Sequence, residues 1–462
     1  MPSPRPSPLL RLAGALACGF VAVAAVPESA GPLLRGPLLV ISIDGLRPDY
    51  VREADRYGLR IPALRRLLRE GSSASGVLGV LPTVTYPSHA TLVTGVAPAR
   101  HGILANRPFD PLGTNREGWY WYAEDLRVQT LWDAAAEAGL RTSSVDWPVT
   151  VGARIDWNVP QVWRADTADD TKLVRAVSTP GLLAEAERAI GPWPFGSTGS
   201  VERDRRKAAF SAWLLRAKKS RLHFAYFASL DEEQHRSGPG SPATLRTLEA
   251  LDGIVGELRR AAESVGTPTI AVVSDHGFAR ADQDLFLNEA LRREGLLTRN
   301  AAGEVRAWRA QAWLAGGTVA ILLKDPHDEA ARRRVRALLA RLQGERDSAI
   351  ERVLSESEAL ARGGFPGAAF VVGLRPEATH KGHPARPSSL HPVSATHGEH
   401  GYLPENREMD AAFILAGPAV PAGADFGRID MRDVAPTLAA RLGLFLPAAE
   451  GHDRLDLKHA RF

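Results

Sequence analysis

Cysteine is almost missing from this chain of 462 residues: the single one, Cys18, lies in an apolar run near the N-terminus. A chain that starts after residue 30 has no thiol, which excludes disulfide staples, thiolate nucleophiles and cysteine-ligated metals. An excess of charge is also missing. The formal net charge is +4 with dispersed basic residues, which argues against a dedicated nucleic-acid binder. The densest basic cluster, Ala331-Arg332-Arg333-Arg334-Val335-Arg336, continues into apolar helical spacing through Leu342 and reads as a solvated helix face. Beyond the N-terminus no apolar run approaches the roughly 20 residues that a membrane helix needs. Heptads and internal repeats are absent as well.

The N-terminus carries Arg5 and Arg11, then an apolar run from Leu12 to Val26, then small residues at Ala22-Val23-Ala24 and Glu28-Ser29-Ala30. This pattern predicts a cleaved export signal over 1–30, cut near 24–30, and a soluble periplasmic or secreted product. Ala15-Leu16-Ala17-Cys18 approaches a lipoprotein cleavage box, but its leucine is one place late and the apolar run continues past the cysteine.

What the chain does have is an alternation of short apolar runs with helical segments. Strands are expected at Leu38 to Ile43, Arg141 to Val145, Leu222 to Leu230, Thr269 to Ser274 and Ala412 to Ala416. Helices are expected at Ile61 to Glu70, from near Ser88 to Thr94, at Leu131 to Ala138, Pro242 to Ser264 and Val434 to Leu442. Such alternation predicts an α/β fold with a mostly parallel central sheet and helices on both faces. The texture changes over 305–385, where a strand at Val319 to Leu323, a basic helix and a strand at Ala368 to Val372 suggest an inserted subdomain. A catalytic domain would then comprise 37–304 and 386–446.

Functional residues of such sheets gather at the carboxyl ends of strands. Asp44, Asp231 and Asp275 each follow an apolar run directly. Asp231 and His235 are four apart, so one helical turn can aim both at one ion. His276 adjoins Asp275, and His400 precedes Gly401. Carboxylate and imidazole donors suit zinc. Taken singly, each cluster has a plainer reading: Asp-Gly as a turn, the Asp231–His235 pair as helix surface. Thr85, between Pro82 and Pro87, reads locally either as a helix N-cap or as a nucleophile beside a helix N-terminus that favours phosphate. Thr83, Ser88 and Thr91 are rival hydroxyls. The joint inventory is that of a two-metal phosphoryl-transfer enzyme.

The run Leu81-Pro82-Thr83-Val84-Thr85-Tyr86-Pro87-Ser88-His89-Ala90-Thr91-Leu92-Val93-Thr94-Gly95 resembles the type I phosphodiesterase and nucleotide pyrophosphatase family of the alkaline phosphatase superfamily. Arg100-His101-Gly102-Ile103, Asn106, Asp44-Gly45, Asp231 with His235, Ser274-Asp275-His276-Gly277 and His400-Gly401-Tyr402 extend the match. Trp147-Pro148-Val149-Thr150-Val151-Gly152 and Ile155-Asp156-Trp157-Asn158 resemble its bacterial branch.

The resemblance implies an alkaline phosphatase-like three-layer sandwich, two zinc ions and a small phosphodiester or nucleotide substrate. It implies Thr85 as a nucleophile that becomes phosphothreonine. One metal would be held by Asp44, Thr85, Asp275 and His276, the other by Asp231, His235 and His400. Asn106 would donate to phosphate oxygens, and Tyr86 would stack on a base. The chain departs from the pattern in three places. Ser88 stands where animal members usually have asparagine. Asp231-Glu232-Glu233-Gln234-His235 lacks the usual proline and glycine context. Leu403-Pro404 replaces the Asp-Asn of animal members, and His397 is an alternative ligand.

Within the superfamily, threonine in place of a formylglycine precursor argues against a sulfatase, and the lack of membrane helices argues against a phosphoethanolamine transferase. A phosphomonoesterase with the same metal site is the alternative activity. An inactive exported metal- or nucleotide-binding protein is the alternative without catalysis.

Overall fold

The structure is a computed structural model that describes residues 36–115, 118–164, 168–194, 199–380 and 397–456. The expected export signal and most of the polar loop before His397 lie outside the described residues.

Seven strands form the main sheet, in the order Ser72–Ser73, Phe413–Ala416, Thr269–Val273, Leu38–Ile43, Leu222–Phe227, Thr142–Val145, Trp157–Val159. The five from Thr269–Val273 to Trp157–Val159 run parallel, and Phe413–Ala416 joins antiparallel. Leu38–Ile43 is buried throughout because both faces are covered, as β-rich apolar runs without alternation require. Its alternate residues feed two cores. Leu38 and Val40 join Phe224, Ala271 and Phe413 under helices Thr85–Thr94, Leu131–Glu137 and Val434–Arg441. Leu39, Ile41 and Ile43 join Ala225, Val272 and Ile414 under helices Pro62–Glu70, Val201–Lys218 and Pro242–Glu263. The result is a three-layer α/β sandwich, the architecture that the alternating pattern predicts. A one-residue slip of the central strand would exchange its two sets of side chains.

A second sheet of four antiparallel strands, in the order Ala310–Ala315, Thr318–Leu323, Phe370–Leu374, Ile350–Ser355, is covered by helix Glu329–Gln343. That helix buries Val335, Leu338, Leu339 and Leu342 and leaves Arg333, Arg334 and Arg336 exposed. Between the sheets, strand Ala279–Leu285 pairs with Glu377–His380 on one side and Gly398–Glu399 on the other. This three-stranded patch delivers Glu399 and His400 to the end of the main sheet.

One boundary differs from the sequence reading in a way that matters. The strand expected to reach Leu230 stops at Phe227, and helix Ser229–Ser237 begins at once. Ser229 N–H donates to Asp204 Oδ2 at 2.9 Å, and Leu230 is buried in the helix-side core. The apolar letters after Phe227 therefore fill the first helical turn, and Asp231 lies within that turn.

Candidate active site

Asp44 follows the central strand and Asp275 lies two residues past its neighbour Thr269–Val273, so parallel pairing brings the two carboxylates to one edge. Gly45 turns the chain there with φ +70°, and its N–H donates to Asp275 Oδ1 at 3.1 Å. The His276 N–H donates to the same oxygen, also at 3.1 Å. Asp275 Oδ2 is left facing His276 Nε2 at 3.2 Å and His89 Nδ1 at 3.7 Å. Asp44 accepts the Tyr226 hydroxyl on Oδ2 and places Oδ1 3.3 Å from His276 Nε2.

A second cluster adjoins the first. Asp231 and His235 share one face of their helix, with Oδ2 and Nε2 3.5 Å apart, while His400 Nε2 stands 3.7 Å from Asp231 Oδ1. Gln234 ties this helix to the Asp44 turn by donating to Gly45 O and accepting from Tyr50.

The three histidines are each held from behind by a backbone carbonyl. Nδ1 of His235 faces Gly398 O at 3.0 Å, that of His276 faces Gly277 O at 3.0 Å, and that of His400 faces Thr83 O at 3.3 Å. A carbonyl can only accept, so each Nδ1 carries a proton and each Nε2 is turned toward carboxylates. Imidazoles that ligate metals are oriented in this way.

Electrostatics differ across the site: for His235 burial acts downward, but Asp231 and Glu399 outweigh it and leave the imidazole above its ordinary value. Burial, then the neighbouring Asp275 and Asp231, push the Asp44 carboxyl well above its usual range. Burial raises Asp231 to about 6. Burial and the adjacent His276 and His235 hold His400 well below the ordinary histidine value. For Asp275 burial acts upward, but His276 and His89 outweigh it and leave the carboxyl low.

Asp44 Oδ1, Asp231 Oδ1, Asp275 Oδ2 and His276 Nε2 are all buried without a hydrogen-bond partner. Unpaired buried acceptors are costly unless a cation meets them. Asp44, Asp275 and His276 offer donor atoms within 4.8 Å of one another, as do Asp231, His276 and His400, and His235, Glu399 and His400. The donors fit divalent metal ions.

Thr85 opens helix Thr85–Thr94, and the segment before it is stitched to both clusters. Thr83 O accepts from His400, and Thr85 O accepts from His89, which in turn faces Asp275. The rival hydroxyls are out of reach: Thr83 donates to Tyr402 O, Thr91 donates to Val96 O, and Ser88 is fully buried. Asn106 Oδ1 accepts the Tyr86 N–H at 2.9 Å, which fixes the amide and leaves its NH2 as the donor end. Asn106 also lines a cleft of about 500 Å³ with Val84, Trp119, His235 and His400 on one side and Gln311 and Trp313 of the second sheet on the other. Tyr86 is not open to this cleft. It is 1% exposed and packs against Trp119, with ring centroids 5.3 Å apart, so the aromatic ring that lines the cleft is that of Trp119, which carries the Arg107 guanidinium 5.1 Å from its centroid.

His397 is exposed and contributes its backbone N–H to His235 O, and it belongs to none of the three donor groups. Three residues passed over in the sequence reading stand at the site: Glu399, His89 and Tyr226. His89 could have been suspected from its i+4 spacing to Thr85. Glu399 and Tyr226 carry no local signal.

The family model described as "Type I phosphodiesterase / nucleotide pyrophosphatase" matches residues 38–402, and the chain belongs to that family. Human ectonucleotide pyrophosphatase/phosphodiesterase family member 1 is 25% identical over 270 residues, which is 55% of this chain and 25% of that protein. Human bis(5'-adenosyl)-triphosphatase ENPP4 is 25% identical over 259 residues, 54% of this chain and 49% of that protein. The matched region thus spans about a quarter to a half of these relatives. Among solved structures, human ectonucleotide pyrophosphatase/phosphodiesterase 5 superposes with TM-score 0.65 at 19% identity, covering 90% of this chain and 97% of that one. An inactive variant of the murine protein in complex with AMP gives 0.64 at 20% identity, with the same coverage. These structures share the fold.

Proposed function

We propose that the chain is an exported, metal-dependent hydrolase that cleaves small phosphodiesters or nucleotide pyrophosphates through a covalent phosphothreonine on Thr85. The observation that carries this reading is the convergence of four buried, unpartnered donor atoms on Asp44, Asp231, Asp275 and His276, beside the segment of Thr85, whose hydroxyl stays out of the hydrogen bonds that hold those of Thr83, Thr91 and Thr94. Asp44, Thr85, Asp275 and His276 would hold one ion and Asp231, His235 and His400 the other, with zinc suited to the oxygen and nitrogen donors. When bound, two such ions supply charge stabilisation for the attacking and leaving oxygens.

The chain's own residues do the rest. Thr85 Oγ forms the bond to phosphorus as the ester oxygen of the leaving group departs in line. Water then breaks the Oγ–P bond and restores the hydroxyl. The Asn106 NH2 meets the non-bridging oxygens, oriented by the Tyr86 N–H on its carbonyl. Trp119, with the Arg107 guanidinium 5.1 Å from its ring centroid, gives the cleft an aromatic and cationic wall suited to a nucleotide. In this reading 305–385 is an inserted subdomain whose strand Ala310–Ala315 closes the far side.

The test uses protein stripped with chelator and reloaded with zinc, comparing a nitrophenyl ester of a nucleoside monophosphate with nitrophenyl phosphate. Faster zinc-dependent cleavage of the diester supports the reading. Faster cleavage of the monoester would replace it with a phosphomonoesterase, and loss of both activities would replace it with a binding role.

A further inference from the structure

Glu399 is 7% exposed, lies on the cleft wall and is accounted for by none of the roles above. Oε2 accepts the Thr379 hydroxyl at 2.8 Å and Oε1 accepts the His400 N–H at 3.0 Å. A carboxylate has about four lone-pair directions, so two remain. Among the described residues, its ion-pair contacts are with imidazoles alone: Oε1 stands 3.9 Å from His235 Nδ1 and 3.9 Å from His400 Nε2. His235 Nδ1 is already engaged by Gly398 O. A buried carboxylate with neither lysine nor arginine beside it needs another cation.

The spacing supplies one. Donors bound to a single zinc at about 2.0–2.2 Å stand roughly 3.3–3.6 Å apart in a tetrahedron. Here Asp231 Oδ2 is 3.5 Å from His235 Nε2, Asp231 Oδ1 is 3.7 Å from His400 Nε2 and Glu399 Oε1 is 3.9 Å from His400 Nε2, so the last two gaps are a few tenths of an ångström wider than a bound ion would set, and His235, Glu399 and His400 offer donor atoms within 4.8 Å of one another. Thr379 is placed to orient the carboxylate, in the manner of a residue behind a ligand.

We propose that Glu399 is a fourth protein ligand of the outer metal, beside Asp231, His235 and His400. This rests on the two-metal reading given above. A fourth protein donor would give the outer ion as many protein ligands as the inner one has in Asp44, Thr85, Asp275 and His276.

The test is metal binding by wild-type chain, Glu399→Gln and Glu399→Asp, each stripped and titrated with Zn2+ and with Co2+ against a chelator of known affinity. Wild type should take up two ions. Both variants should keep the inner ion unchanged and bind the outer one about 10- to 100-fold more weakly. The Co2+ absorption of the outer site should intensify as its coordination number falls. Wild-type affinity and spectrum in Glu399→Gln would overturn the proposal. Weakening in Glu399→Gln with wild-type behaviour in Glu399→Asp would also overturn it, by assigning the effect to charge alone, because the shorter arm cannot reach. Fewer than two ions on the wild-type chain would defeat the two-metal reading itself and the proposal with it.

Discussion

The imidazole rings of His276 and His400, 124 positions apart in sequence, lie face to face with centroids 3.7 Å apart and planes 9° from parallel. Burial first, and then the neighbouring His276, disfavour a charge on His400 in this stack. The stack joins the Asp44–Asp275 cluster to the Asp231–His235 cluster, and a change in either ring is felt in both.

Metal loading should therefore stabilise the fold. Three carboxylates share this pocket, and ions that bind only the native state add stability by mass action, about 2.7 kcal/mol at a hundredfold excess over Kd. Thermal unfolding with zinc and with chelator should show a higher Tm with zinc, reversible on exchange. Identical curves would count against metal binding.

Thr85→Ala should abolish turnover while leaving metal content mostly intact, because Asp44, Asp275 and His276 remain. Elemental analysis and a diester assay on the same preparation check both halves. An active alanine variant would remove Thr85 from the nucleophile role.

Asn106→Asp keeps an oxygen to accept the Tyr86 N–H and replaces the donor end with negative charge. The expected result is a fall in kcat of about 10²- to 10³-fold or more with little change in Tm. A drop in Tm with kcat retained would make Asn106 a structural residue only.

His101 and His223 should make stability acid-sensitive. Both are fully buried, and burial holds each at about 3. His101 accepts from Ile103 N–H and bonds Thr91, and His223 bonds Ser143. Their folded values lie below the unfolded value, so the contribution is complete above pH 6.5 and declines as pH falls toward 3. Each group adds a slope of about 1.4 kcal/mol per pH unit within that window. Denaturant midpoints between pH 7.5 and 5 should fall less steeply in His223→Asn than in wild type, and parallel lines would refute the assignment.

Lys207→Met should be among the most damaging substitutions outside the site. Lys207 Nζ is 2.6 Å from Asp146 and 3.8 Å from Asp204, and all three are buried. Removing the cation strands two carboxylates, at a cost of about 3–5 kcal/mol. Chemical denaturation measures this directly, and a loss under 1 kcal/mol would show that water relieves the pair.

Much of this arrangement was legible because parallel strands advertise themselves. Apolar runs buried on both faces end where the backbone meets solvent, and Asp44 and Asp275 stand just beyond those ends. Asp231 was harder to place. Phe227-Ala228-Ser229-Leu230 is mostly apolar by letter, but only the bond from Ser229 N–H to Asp204, a residue 25 positions earlier, reveals that a helix has started. Lys207 hid within Arg203-Asp204-Arg205-Arg206-Lys207, a charged run in which Asp204 and Lys207 are buried and the three arginines are not. Glu399 was invisible for a similar reason: its partners Thr379 and His235 come from distant elements, and only assembled topology brings them together. Tyr86 stood at a motif position, but whether its ring is open to the cleft depends on Trp119, which the motif does not contain.

The second sheet carries a consequence for how such a chain can change. Strand Ala310–Ala315 walls the cleft through Gln311 and Trp313 yet supplies none of the residues assigned to the metals. Chemistry and enclosure are thus written on separate stretches of backbone. Substitutions along that strand can reshape what is admitted while the reacting centre stays as it is, leaving substrate range free to drift under selection at little risk to catalysis.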